Sequence, residues 1–236
     1  MSTSVINVAA ILAKERYFRG ILIGEPDSGK TTTSGTLTPG KATCVICSAP
    51  PSQMIVHEPE VRVAIPKDFK ETVAFLKEPA KVFGSDIGTL VWDDATFTIG
   101  KGLEEKGVRT ANDPRQIYKD VQFSLEGALM HTIAQKFHFV IVGQARKFIS
   151  EISGLEEVSL DVPPSMENGV VAAADYAFFL SRAKDPNAAP RLAVVPLKRT
   201  VTKVKLIRAQ FGKSPLANEE VANLAAIWAK LTGIQK

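Results

Sequence analysis

Cysteine is almost missing from this chain. Cys44 and Cys47 are the two present in 236 residues, and the three histidines (His57, His131, His138) supply no matching pair. That excludes a disulfide framework and leaves a zinc site two ligands short. Their segment, Ala42-Thr43-Cys44-Val45-Ile46-Cys47, reads as a buried strand, on which residues three apart face opposite sides of a sheet. A metal or redox pair is the competing reading. Long apolar runs are missing too: none approaches the roughly 18 residues of a membrane span, so no membrane partner is expected. Near the N-terminus Lys14, Glu15 and Arg16 follow the apolar stretch rather than precede it. That is not the order of a secretory signal, and a cytoplasmic location is expected. Repeats, low-complexity segments and long linkers are also lacking. Residues 1–236, with 45% hydrophobic content, are therefore expected to form one domain with a sizeable core.

Acids are scarce in one region. Residues 182–213 carry Arg182, Lys184, Arg191, Lys198, Arg199, Lys203, Lys205, Arg208 and Lys213 against the single acid Asp185. This is a net +8 within a chain of net +4, so the remainder is net −4. Such clustering is the electrostatic footprint of a phosphate-rich partner, the competing reading being a solvated strand face. Few aromatics lie among these bases, which predicts limited base stacking and weak sequence preference.

What the chain does have is Gly24-Glu25-Pro26-Asp27-Ser28-Gly29-Lys30-Thr31, followed by Thr32 and preceded by the apolar run Ile21-Leu22-Ile23. It matches G-x-x-x-x-G-K-[ST] at every fixed position. Glycines at both ends let the backbone curl so that successive N–H groups converge, and a helix expected over residues 30–37 adds partial positive charge beneath. Lys30 then reaches the outer phosphates of a nucleoside triphosphate and the Thr31 hydroxyl holds Mg²⁺. The competing reading is a glycine-rich turn with no ligand.

Further along, strands are expected at 42–47, 61–65 and 89–92, with Pro66-Lys67-Asp68 opening a helix that carries Val73, Phe75 and Leu76. Residues 97–113 are polar, contain Gly100, Gly102 and Gly107, and read as a mobile loop bearing Lys101, Lys106 and Arg109. Ile117, Val121, Leu125, Leu129 and Ile133, spaced by four, predict a long amphipathic helix. The run 137–143 predicts a strand buried on both faces of a parallel sheet. Residues 176–180, 191–195 and 201–207 read as strands added antiparallel to the sheet edge, and 218–231 as a terminal helix. The class is α/β, with a mostly parallel central sheet flanked by helices.

A triphosphate site needs a second acidic element at the carboxyl end of a strand beside the glycine-rich loop. Thr89-Leu90-Val91-Trp92-Asp93-Asp94 has that form. Asp93 is the candidate for the Mg²⁺ shell, and Asp94 for orienting or deprotonating the attacking water. A helix cap or a surface turn is the alternative for the two acids. Gln144, ending the strand Val140-Ile141-Val142-Gly143, is a candidate sensor of the terminal phosphate or an ordinary exposed glutamine. Arg146 and Lys147 follow it as candidate phosphate binders.

Together these landmarks resemble the RecA-like AAA-type ATPases of phages, including single-strand annealing proteins built on a RecA-type core. The resemblance spans most of residues 18–210. It rests on the 24–32 loop, residues 61–76, Leu90-Val91-Trp92-Asp93-Asp94, Asp113-Pro114-Arg115-Gln116-Ile117-Tyr118, Val140-Ile141-Val142-Gly143-Gln144 and Asp175-Tyr176-Ala177. It implies a P-loop fold, ATP hydrolysis, assembly into rings or filaments, and single-stranded DNA as the partner in recombination. With those come a single-strand DNA-binding protein as a further partner and, for a phage-encoded chain, the host cytoplasm. Lys203 and Lys205 look like the paired lysines that some RecA-like subunits insert into a neighbour's nucleotide site, or they line the exposed face of an edge strand. Lys101, Lys106, Arg109, Lys198, Arg199 and Arg208 are the nucleic-acid candidates. The chain departs from the family in one place: Cys47-Ser48-Ala49-Pro50-Pro51-Ser52-Gln53 offers no catalytic glutamate, and Glu58 and Glu60 come later. A nucleotide-gated assembly protein, a DNA-packaging ATPase and a small nucleotide kinase are the alternative functions.

Overall fold

A computed structural model describes residues 17–37, 42–48, 61–149, 156–181, 191–193 and 219–232. In chain order it runs β1 (Arg19–Gly24), α1 (Lys30–Ser34), β2 (Ala42–Cys47), β3 (Val61–Ala64), α2 (Phe69–Lys77), α3 (Pro79–Phe83), β4 (Ile87–Asp93) and α4 (Ala95–Glu105). There follow α5 (Arg115–Ile133), β5 (His138–Ile149), β6 (Glu156–Leu160), α6 (Pro164–Ala172), β7 (Tyr176–Ser181), β8 (Arg191–Ala193), β9 (Glu219–Val221) and α7 (Leu224–Thr232). The strands form one sheet in the order β3-β2-β4-β5-β1-β7-β8-β9. From β3 to β7 every neighbouring pair is parallel. β8 and β9 continue it antiparallel, and β6 pairs antiparallel with the outer half of β5.

Helices cover both faces, which is why the central strands read as unbroken apolar runs. On one face Ile21, Ile23, Cys44, Leu90, Trp92, Phe139 and Ile141 meet residues of α2, α4, α5 and α6. On the other, Leu22, Val45, Cys47, Val91, Val140 and Val142 meet Leu37 and the α7 residues Leu224 and Ile227. The two cysteines thus face opposite sides of the sheet as free thiols, and burial raises Cys44 to about 11. Each fully buried aliphatic or aromatic side chain contributes about 1.5–3 kcal/mol.

The structure departs from the sequence reading at several points. Residues 97–113 are not a mobile loop: most of them belong to α4 and its closing turn. Asp94 caps that helix through the N–H groups of Thr96 and Phe97, while Ile99 and Leu103 are buried at helical spacing. Gly102 is there for space, because a Cβ would fall 2.6 Å from the Phe69 ring. The helix after the glycine-rich loop ends at Ser34, earlier than residue 37. β7 pairs parallel with β1 rather than adding antiparallel. The expected terminal helix at 218–231 is divided into β9 and α7. β6 and α6 appear where no element was predicted. The expected strand at 201–207 lies outside the described residues.

Arg19 pins the amino ends of the strands. It is 8% exposed and donates to the carbonyls of Ile133 (3.1 Å), Gln135 (2.8 Å), Phe137 and Phe18. The α5–β5 turn is thereby tied to β1. Burial lowers the guanidinium pKa, with Asp175 and Tyr17 opposing. Arg19→Ala removes four hydrogen bonds at the amino ends of the strands and is expected to cost about 3 kcal/mol, measured by urea denaturation. A loss below about 1 kcal/mol would contradict this pinning role.

Candidate functional site

Sheet register brings the candidate residues into one row at the carboxyl ends of the strands, where ligands of open α/β sheets bind. Gly24 pairs with Gln144, and Cys47 pairs with Asp93. β5 stands between the Asp93-bearing strand and β1. Asp93, at the end of β4, nevertheless reaches Thr31 at the start of α1. Thr31 Oγ1 donates to Asp93 Oδ2 at 2.5 Å.

The loop geometry explains its glycines. A Cβ on Gly24 would sit 2.5 Å from the Leu180 carbonyl and 2.7 Å from Ser28 Oγ. Gly29 has φ +88°, a conformation that side-chain-bearing residues rarely adopt. Asp27 also lies in the left-handed region, at φ 56°, one that aspartate tolerates better than most residues. Pro26 and Thr32 are exposed, and Thr33 N–H closes the first turn on Gly29. α1 is five residues long, so charge at this site comes from Lys30 more than from a helix dipole.

Lys30 is 7% exposed and donates to the carbonyls of Gly24 (3.1 Å) and Glu25 (2.7 Å). Burial lowers its pKa, while Asp94, Asp93, Asp27 and Glu25 counter that and favour the charged form. Burial likewise raises the Asp93 carboxyl, against the Thr31 hydrogen bond. Asp94 does two jobs: Oδ1 caps α4, and Oδ2 accepts from Gln144 Nε2 at 2.5 Å. Gln144 Oε1 and Ser28 Oγ are buried with no hydrogen-bond partner among the described residues.

Several supports were not apparent in the sequence. Thr96 Oγ1 accepts the Gln144 backbone N–H at 3.0 Å, which fixes the end of β5 against α4. Thr98 Oγ1 bonds the Asp94 carbonyl at 2.9 Å, accepts from Trp92 Nε1 at 3.1 Å and meets Ser48 Oγ. Ser48 N–H donates to the Asp93 carbonyl at 2.7 Å. The only foretelling signal was the hydroxyl-rich Asp-Asp-Ala-Thr-Phe-Thr pattern, whose cross-strand partners periodicity does not reveal.

Other candidates lie apart from this row or beyond view. Lys101 Nζ donates to the Lys67 carbonyl at 2.7 Å and lies 3.8 Å from Glu105, and Arg109 pairs with Glu104 at 3.7 Å. These bases are engaged with their own neighbourhood, and Lys106 stands at the end of α4. Arg146 meets Ser159 Oγ at 3.4 Å, and Lys147 pairs with Glu25 at 2.7 Å. Lys198, Arg199, Lys203, Lys205 and Arg208, like Glu58 and Glu60, lie outside the described residues. Among the described residues no group of three His, Cys, Asp or Glu gathers as a metal cage, and no helix is long and apolar enough to cross a membrane.

A buried lysine and an oxygen pair from Thr31 and Asp93, beside a loop with no room for a Cβ at Gly24, make a site suited to an anion that carries a hard divalent cation. Because the folded Asp93 pKa is raised, charging this group costs stability as pH climbs from the ordinary value of 3.8 through the folded value. Asp93→Asn removes that cost. The variant is expected to melt higher than wild type at pH 7, with the gain shrinking as pH falls through the carboxylate range. Equal melting temperatures across that range would remove burial as the cause. No protein-family model and no curated protein matches the chain.

Proposed function

We propose that the chain is a RecA-like P-loop ATPase that binds Mg-ATP at residues 24–32, hydrolyses it, and acts on single-stranded DNA in recombination or annealing. The observation that carries this reading is the hydrogen bond from Thr31 to Asp93 beside the buried Lys30. It joins the two sequence patterns that a triphosphatase requires. Three further features support the ligand. The glycine-lined cradle has no room for a Cβ at Gly24, two buried polar atoms (Ser28 Oγ and Gln144 Oε1) have no partner among the described residues, and the donors nearest the expected cation are oxygens.

In this reading Lys30 exchanges the Gly24 and Glu25 carbonyls for the outer phosphates. Thr31 and Asp93 hold the cation directly or through its water. Magnesium, when bound, offsets the charge that develops on the transferring phosphoryl group. Gln144 contacts the terminal phosphate through its amide, and Asp94 receives the proton of the attacking water. Asp94 stands in for the missing glutamate after β2, and its commitment to the α4 cap implies slow turnover. That commitment is also the one observation favouring the second reading, a nucleotide-gated assembly protein, for which ATP binding without phosphate release is the signature.

The nucleic-acid part of the proposal rests on the +8 concentration at 182–213. Association into rings or filaments, with Lys203 and Lys205 completing a neighbour's site, belongs to the same proposal.

Lys30→Ala is expected to abolish ATP binding, measured by calorimetry, in a variant whose circular dichroism is unchanged. Asp93→Asn is expected to bind ATP yet release phosphate roughly 100-fold more slowly. Normal binding by a folded Lys30→Ala protein, or normal turnover by Asp93→Asn, refutes the assignment. For DNA, the affinity of a labelled oligonucleotide should fall by roughly 0.7 log units per contact for each tenfold rise in salt. If no binding is found at low salt with ATP present, the nucleic-acid reading is wrong.

A further inference from the structure

The glycine-rich loop carries an acid where a polyanion is expected to enter. Glu25 follows Gly24 directly, and its own carbonyl holds Lys30 Nζ at 2.7 Å. Its carboxylate is felt at the cradle, since it is among the charges that favour protonated Lys30. Left alone, that carboxylate opposes any phosphate approaching the loop amides.

It is not left alone. Lys147 Nζ lies 2.7 Å from Glu25 Oε1, and the same ammonium stands 5.7 Å from the centre of the Phe179 ring. Lys147 belongs to the outer half of β5, where pairing with Val158 of β6 holds the strand beyond the parallel sheet. Gln144, three residues earlier on the same strand, contacts Asp94. One strand therefore brings one group to the acid row and another to the rim of the loop. Both partners of the pair are partly exposed, with side chains 43% and 59% accessible, so the pair adds little to folding stability. Its consequence is electrostatic and local.

We propose that Lys147 is a positioning residue of the triphosphate site, which cancels the charge of Glu25 and makes the glycine-rich loop receptive to a nucleoside triphosphate. The proposal rests on the ATP-site reading above and adds a residue outside the motif. Lys147 acts through Glu25 rather than by touching phosphate, and this sets the signs of three variants. Lys147→Met exposes the carboxylate and weakens Mg-ATP binding about tenfold at low salt. Glu25→Gln removes the acid from the loop and tightens binding several-fold. The double variant returns to wild-type affinity.

Isothermal titration of Mg-ATP into the four full-length proteins decides the matter, with phosphate release measured alongside. The expected result is opposite shifts for the single variants, restoration in the double, and differences that shrink as salt rises. A double variant as weak as Lys147→Met would mean that Lys147 meets phosphate itself, and would overturn the proposal. Weakening by Glu25→Gln would mean that the pair is a mechanical tie, and would overturn it too. A wild-type protein that binds no ATP removes the site reading and this proposal together. A wild type that binds, with Lys147→Met unchanged, removes this proposal alone.

Discussion

The hydrogen bond between Thr31 and Asp93 is the constraint on which the site depends. It links residues 62 positions apart in sequence, one from the first turn after a glycine-rich loop and one from the last position of an inner strand. It depends on the parallel register from β4 through β5 to β1, which brings the ends of β4 and β1 within reach of one another. Close packing on both faces holds that register, since a one-residue slip would exchange side chains of different size between two filled cores. The core thus does more than hold the fold together: it fixes the height at which a hydroxyl, a carboxylate, an ammonium and an amide meet.

Much of this was legible in the sequence because the signals were local. The glycine-rich loop, the apolar run before it and the two acids after Trp92 each announce themselves within a few residues. The opposite facing of Cys44 and Cys47 follows from strand periodicity alone. The misreadings have a common cause. Gly100, Gly102 and Gly107 suggested a flexible segment, yet Gly102 makes room for Phe69, which lies 33 residues earlier at the start of α2. β7 looked like an edge strand because the short turns around it hid its pairing with β1. Thr96 and Ser48 became visible as supports only once β2, β4 and β5 lay side by side. Contacts across strands leave no periodic trace in a single chain.

Asp94 carries a tension that runs through the site. Its carboxylate caps α4 with one oxygen and receives the Gln144 amide with the other, so both oxygens are already engaged. Its neighbour Asp93 is in the opposite condition, buried and raised in pKa, more readily neutralised by a proton or a cation. Two adjacent acids on one backbone thereby meet different surroundings: one is taken up by a helix cap and an amide, the other is buried against Thr31.

The same geometry distributes the chain's two indoles. Trp92 sits beside Asp93 with its N–H on Thr98, while Trp228 stacks edge-on against Phe18 and His138 at the starts of β1 and β5. One indole therefore reads the carboxyl ends of the strands and the other their amino ends. The fold has installed its own pair of optical probes, and light emitted by each will report separately on the end of the sheet it watches.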